Sequence, residues 1–213
     1  MAGIFDEILT AGVRAGQIPA RTQTARDWYR NAARNYGSTI RKGGKQAGRI
    51  DYGRINEKRF VNEEPGRLQV QARPGSMYFY MYDPKTKETL PYYDRFPLIF
   101  PFHIESDRFW GINLHYLPLQ LRAQLMDALY DISSNQRYDD TTRLRLSYQV
   151  LKSASKFRYF KPCVKQYLFS HMQSKFVYVH PSEWDTALFL PLERFTKASK
   201  TQVWAQTKKQ IAG

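Results

Sequence analysis

The chain has 213 residues, 42% of them hydrophobic and 24% charged. That is the composition of a folded globular protein, with length for one sizeable domain and its extensions rather than two full-sized domains. Lys and Arg number 33 against 19 Asp and Glu, a formal net charge of +14, and aromatic residues reach 15%. Such charge points to a polyanionic partner, nucleic acid first and an acidic protein surface or anionic lipid second, but it names no reaction. Apolar runs such as Phe96 to Phe102 are short and interrupted by proline, so no membrane span is expected. The residues after Met1 have neither a basic segment nor a long apolar stretch, and no secretory signal is expected. Cys163 is the single cysteine. An internal disulfide is therefore excluded, which suits folding in a reducing cytoplasm.

The charge is uneven. Residues 1–75 carry a net +7, residues 76–151 a net −1 and residues 152–213 a net +8. The expected division is a basic N-terminal region over 1–75, a folded core over 76–196 and a basic helical tail over 197–213. In chain order, Ile4, Phe5, Ile8 and Leu9 make one apolar face of a short helix over 3–15. A second helix is expected from about Thr22 to Asn35, with Arg26, Arg30 and Arg34 repeating every four residues along one face. Residues 37–75 are rich in glycine and threaded with cations, among them Arg41, Lys42 and Lys45. Apolar residues there show no period, which reads as an extended arm or long loop that orders on a polyanion or a neighbouring subunit.

Strands are expected at Met77 to Tyr82, Leu98 to Phe102 and Phe109 to Leu114, with Pro97, Pro101 and Gly111 suited to bends or bulges. Helices follow over about 118–132, opened by Pro118, and about 140–153, where Asp139 and Asp140 favour an N-terminus. A short helix is expected over 162–173 and a strand over 176–179. Ser182 to Asp185 fits a capping box that opens another short helix. The tail after Lys197 is helix-prone but weakly apolar, and reads as an exposed terminal helix. The expected fold is α+β: a small, strongly bent antiparallel β-sheet or barrel-like core packed with several short helices, plus an extended basic N-terminal region.

The sequence offers little chemistry. No glycine-rich segment ends in Gly-Lys-Ser or Gly-Lys-Thr, and there is no Gly-x-Ser-x-Gly elbow. The histidines His103, His115, His171 and His180 lack metal-ligand spacing, and His115 reads as structural. Cys163 sits on an apolar stretch and reads as a buried thiol. Asp83, Glu88, Asp94, Glu105 and Asp107 are the carboxylates a metal-dependent nuclease would cluster, but none precedes the x-Lys pattern of restriction-type folds. No enzyme activity, metal or cofactor is expected. The densest aromatic block, residues 76–118, contains only Lys85, Lys87, Arg95 and Arg108 as interleaved cations. A base-stacking platform needs more, and the block reads as β core.

Several strings are distinctive. They are Tyr82-Asp83-Pro84-Lys85, then Leu90 to Ile99, then Gly111-Ile112-Asn113-Leu114-His115-Tyr116-Leu117-Pro118. Gln17-Ile18-Pro19-Ala20-Arg21, Trp28-Tyr29-Arg30, Pro162 to Lys165 and Pro181 to Asp185 belong with them. Together they span most of the chain and resemble virion proteins of T-even-like tailed bacteriophages, most closely the DNA end protector family. The resemblance implies a minor virion protein of the head, folded in the bacterial host cytoplasm, that caps the end of the packaged genome against host exonuclease. It carries over no catalytic motif. The residues themselves offer Arg26, Arg30, Arg34, Arg41, Lys42 and Lys45, joined by Lys156, Arg158, Lys161 and Lys165, for contact with DNA phosphates or an acidic partner. Trp28, Tyr29 and Trp110 are candidates to stack on a terminal base pair. Two readings stay open: a protein that binds double-stranded DNA, or a structural component of the neck, tail or baseplate whose arm binds neighbouring virion proteins.

Overall fold

The computed structural model describes residues 4–14, 57–62 and 65–212, apart from 120, 123–124, 127–128, 130–131, 133–136, 155 and 157–159. The helix expected over 22–35 and the glycine-rich stretch as far as residue 56 lie outside the described residues. The elements, in order, begin with helix α1 (Ile4–Arg14) and the short helix α2 (Glu57–Asn62). Strands β1 (Leu68–Gln69), β2 (Met77–Phe79), β3 (Tyr93–Asp94), β4 (Leu98–Ile104) and β5 (Arg108–Asn113) follow. After helical positions between Leu119 and Ile132 come α3 (Asp140–Ala154), β6 (Val164–Leu168) and β7 (Phe176–Val179). Helix α4 (Trp184–Phe189), strand β8 (Phe195–Thr196) and helix α5 (Lys200–Ala212) complete the chain.

The expected α+β class holds. Six strands form one antiparallel sheet in the order β1-β7-β2-β4-β5-β6, and β3 pairs with β8 in a separate two-stranded ribbon. The sheet is open, with β1 and β6 as its edges, so it does not close into a barrel among the described residues. The β4–β5 hairpin is irregular, its register shifting between Pro101 and His103. A proline that cannot donate to the ladder and a bulge beside it interrupt the pairing. Gly111 sits opposite Pro101 because an added Cβ would lie 2.5 Å from the Ile99 side chain and 2.7 Å from the Phe100 carbonyl oxygen.

Alternation along the strands divides the core in two. Phe79, Leu98, Phe100 and Ile112 pack with Leu125, Leu129, Leu151 and Trp184 on the helix-covered face. Tyr78, Tyr80, Tyr82, Phe109, Tyr167 and Phe176 form an aromatic layer on the other. Residues 57–69, within the segment read as an arm, take part in this core. Phe60 is fully buried, 5.4 Å centroid to centroid from Phe79, and β1 pairs with β7. Helix α1 joins them through Ile4, Phe5 and Ile8, all buried, and through an Arg59–Glu7 ion pair of 2.9 Å.

Three local expectations are corrected. The segment 162–173 forms a short 3-10 turn at Lys161–Cys163, then strand β6, not a helix. Its Val and Tyr suit a pleat, and pairing with β5 satisfies that strand's remaining backbone groups, which outweighs weak local helix preference. The capping box opens on His180 rather than Ser182. Its ring accepts from the Ser182 backbone N–H, and the Glu183 carboxylate accepts from the His180 N–H. Glu183 also takes both arms of the Arg67 fork, at 2.5 and 2.8 Å. The C-terminal helix is docked, not exposed: Val203, Thr207 and Ile211 share one buried face. The Thr207 hydroxyl donates to the Tyr116 carbonyl (2.9 Å) and the Trp204 indole N–H to that of His115 (2.8 Å).

Candidate nucleic-acid interface

The edge strand β6 leaves one side of the sheet open, and the chain builds a groove there. The floor is β6 itself. One wall is the turn over residues 84–90 with Tyr92 and Tyr93, and the far end is the 3-10 turn Phe169–His171. The groove holds about 820 Å³. Its position follows from several backbone contacts. Tyr82 bridges Met172, the Asp83 N–H donates to the His171 carbonyl (3.1 Å), and His171 Nδ1–H donates back to the Asp83 carbonyl (2.9 Å). Lys197, in the left-handed region at φ 70°, fixes the wall. Its ammonium donates to the carbonyls of Lys87 (2.7 Å), Glu88 (2.8 Å) and Leu90 (3.3 Å). Lys87 in turn bridges Asp83 at 2.9 Å.

The lining is aromatic and carries both signs of charge, with Asp94 and Asp107 as its acids. Tyr82, Tyr92, Tyr93, Tyr116, Tyr167 and Phe169 contribute rings, and Lys85, Arg108, Lys165 and His171 contribute nitrogen. The Arg108 fork is engaged by Asp107 at 2.9 and 2.7 Å. Lys165 is different. Its ammonium lies 4.2 Å from the Tyr116 ring centroid and has no carboxylate partner among the described residues. Burial pulls it below the ordinary lysine range. Neighbouring Cys163 is fully buried, and burial pushes its thiol up to about 12 despite the opposing charges of Lys165 and Arg122. A protonated, enclosed thiol is no nucleophile.

Behind the groove lies a buried polar cluster. Asp94 accepts from the Phe96 N–H (3.1 Å), the Arg194 N–H (3.2 Å), Asn113 Nδ2 (3.3 Å) and His115 Nδ1 (2.7 Å). Asn113 also donates to the Tyr167 hydroxyl at 2.9 Å. An Asp–His pair can orient a catalytic base, but here the side chains are 0% and 1% exposed. Asp94 also borders the groove, and the pair locks the β3–β8 ribbon to the end of β5. Arg122 extends the cluster to Glu193, the carbonyls of Leu117, Leu188 and His115, and the face of Trp204. Among the described residues no three His, Cys, Asp or Glu are grouped to hold a metal ion. No described helix is long and apolar enough to cross a membrane.

Residues 58–210 match the family model of the Phage T4 terminal DNA protecting protein. The chain belongs to this family. The match runs from α2 to α5, so it takes in the whole six-stranded sheet, the β3–β8 ribbon and the groove. No curated protein and no solved structure matches the chain. The strings around Tyr82, Leu90 and Gly111 that carried the resemblance now have physical roles. Tyr82 to Lys85 and Leu90 to Asp94 wall the groove, and Asn113 to Tyr116 supply the polar cluster behind it.

Within this end-protecting fold, the sequence-derived cations scatter. Lys156 is exposed in the turn after α3, Lys161 is exposed just before β6, and Lys165 is half-buried on β6. Arg26, Arg30, Arg34, Arg41, Lys42, Lys45 and Arg158 lie outside the described residues, as do Trp28 and Tyr29. Trp110 is half-buried on β5 and packs against the His103 ring at 5.1 Å, away from the groove lining. Sequence reasoning missed Tyr92, Tyr93, Phe169 and His171 as site residues. The aromatic density was visible, but its interleaved cations looked too few. The missing one, Lys165, arrives from strand β6, far along the chain.

Proposed function

We propose that the protein binds the ends of linear double-stranded DNA without reading sequence and shields them from exonuclease, doing no chemistry of its own. The observation that carries this is membership in a terminal DNA protecting family by a chain with a net charge of +14. Phosphate contacts from Arg26, Arg30, Arg34, Arg41, Lys42 and Lys45, with Lys156, Arg158, Lys161 and Lys165, supply affinity. Arginine dominates the N-terminal flank and grips phosphate bidentately. The protein acts as a component of the virion, folded in the host cytoplasm and delivered with the genome end.

The test is digestion of linear double-stranded DNA by a processive exonuclease with and without the purified protein, beside binding titrations on linear and covalently closed DNA. The expected result is protection of linear DNA. Affinity should also fall by about 10³–10⁵-fold between 50 and 200 mM salt if six or more phosphates are neutralised. Failure to bind either DNA near physiological salt would overturn the reading. The basic flanks would then serve contacts with neighbouring virion proteins in the neck, tail or baseplate.

A further inference from the structure

Phosphate contacts are the same along the whole duplex, so they give affinity but no preference for an end. What an end offers alone is a terminal nucleotide that unstacks by losing one stacking face, where an interior base loses two and its pairing is held on both sides. The groove beside β6 has the features such a nucleotide needs. At about 820 Å³ it lies within the size range of pockets that enclose a ligand of a few rings, about 300–1,000 Å³. Tyr93 is half-buried on its wall and makes no ring contact among the described residues. Lys165 holds an ammonium over Tyr116 with no carboxylate partner among the described residues, and Lys85 adds a second cation to the lining. The wall is pre-set by the three carbonyl contacts of Lys197, so little ordering remains on binding.

We propose that this groove holds an unstacked terminal nucleotide of a DNA strand, its base against the tyrosine wall and its phosphate at Lys165. The inference rests on the DNA-end reading above and says which part of the end is gripped. Ring stacking tolerates any base, which suits an end protector that must serve any terminal sequence. Lys165 is the specificity determinant for the end, and the other cations track the backbone.

The experiment compares three probes of one length: a hairpin duplex with a blunt free end, the same hairpin with a two-nucleotide overhang, and a closed dumbbell with no end. For the unmodified protein the overhang should bind about tenfold more tightly than the dumbbell, the size of one base stack, with the blunt end between them. Lys165→Met and Tyr93→Ala should each bring that ratio close to one, and Tyr93→Ala should leave dumbbell affinity within about twofold. Lys165→Arg should keep the ratio. A 5-iodouracil placed at the overhang terminus should photo-crosslink to residues of the groove in the unmodified protein, which decides the matter even if a variant folds poorly. Overhang preference that survives both substitutions, or crosslinks confined to residues 1–56, would overturn the groove assignment and leave the DNA-end reading standing. Failure of the unmodified protein to bind any probe would overturn both.

Discussion

Replacing Arg122 with methionine should be among the most damaging single changes in the chain, and its effect should depend on pH. The guanidinium is 0% exposed. It donates to the carbonyls of Leu117 (2.8 Å), Leu188 (3.1 Å) and His115 (3.2 Å) and to Glu193 Oε1 (2.7 Å). Methionine fills much of the volume but takes the guanidinium donor from the Leu117 and Leu188 carbonyls and from the Glu193 carboxylate, while the His115 carbonyl keeps the Trp204 indole N–H. Breaking a buried pair from one side costs about 3–5 kcal/mol, a large part of a typical stability of about 5–15 kcal/mol. Tm should fall by about 10 °C for a chain of this size.

The pH dependence has a definite sign. Burial alone would raise Glu193, but the charges of Arg122 and His115 and its hydrogen bonds outweigh burial and hold the carboxyl at about 2. Relative to the ordinary glutamate value this is worth roughly 3 kcal/mol. That stability is present above the unfolded value and is lost as pH falls through the folded one. In Arg122→Met the largest influence opposing burial is gone, and burial outweighs what His115 and the backbone hydrogen bond still supply, so the Glu193 value rises above its unfolded one. The variant then gains stability as pH falls. Urea unfolding at pH 7 and pH 5 should show a deficit of about 4 kcal/mol against the unmodified protein at pH 7, and a smaller one at pH 5. A deficit below about 1 kcal/mol, or one equal at both pH values, would refute the reasoning. Adding Glu193→Gln to the variant should restore part of the loss at pH 7, since no bare charge is then buried.

Cys163, fully buried with its thiol at about 12, should resist thiol reagents at pH 8 and react promptly in urea; rapid labelling of the native protein would place it elsewhere. Gly111→Ala pushes a methyl into Ile99 and the Phe100 carbonyl, and should cost about 1–3 kcal/mol, read as a lowered urea midpoint with unchanged slope. Changing Arg26, Arg30 and Arg34 together to Gln should lower the slope of log K against log salt for DNA binding by nearly 3, at about 0.9 per phosphate. An unchanged slope would show that these arginines do not touch DNA.

The sequence by itself determined the fold class, the placing of β2, β4, β5 and β7, the helices α1 and α3, and the inert character of Cys163. In each, the deciding signal is local: an apolar period, a proline or an N-terminal carboxylate. The irregularity at Pro101 and Gly111 was also legible, because a residue without an N–H and one without a Cβ have few places in a sheet. Strand β6 was not legible, since VKQYL becomes a strand by completing the hydrogen bonds of β5 and not by its own preference. The docking of α5 was hidden because Thr207 counts as polar until the Tyr116 carbonyl is beside it. The candidate groove was out of reach for the same kind of reason. Its wall comes from residues 84–93, its floor from 164–168 and its brace from Lys197. Charge and aromatic counts along the chain separate these pieces, and only the sheet order, with β6 next to β5, brings the tyrosines and the ammonium of Lys165 to one surface.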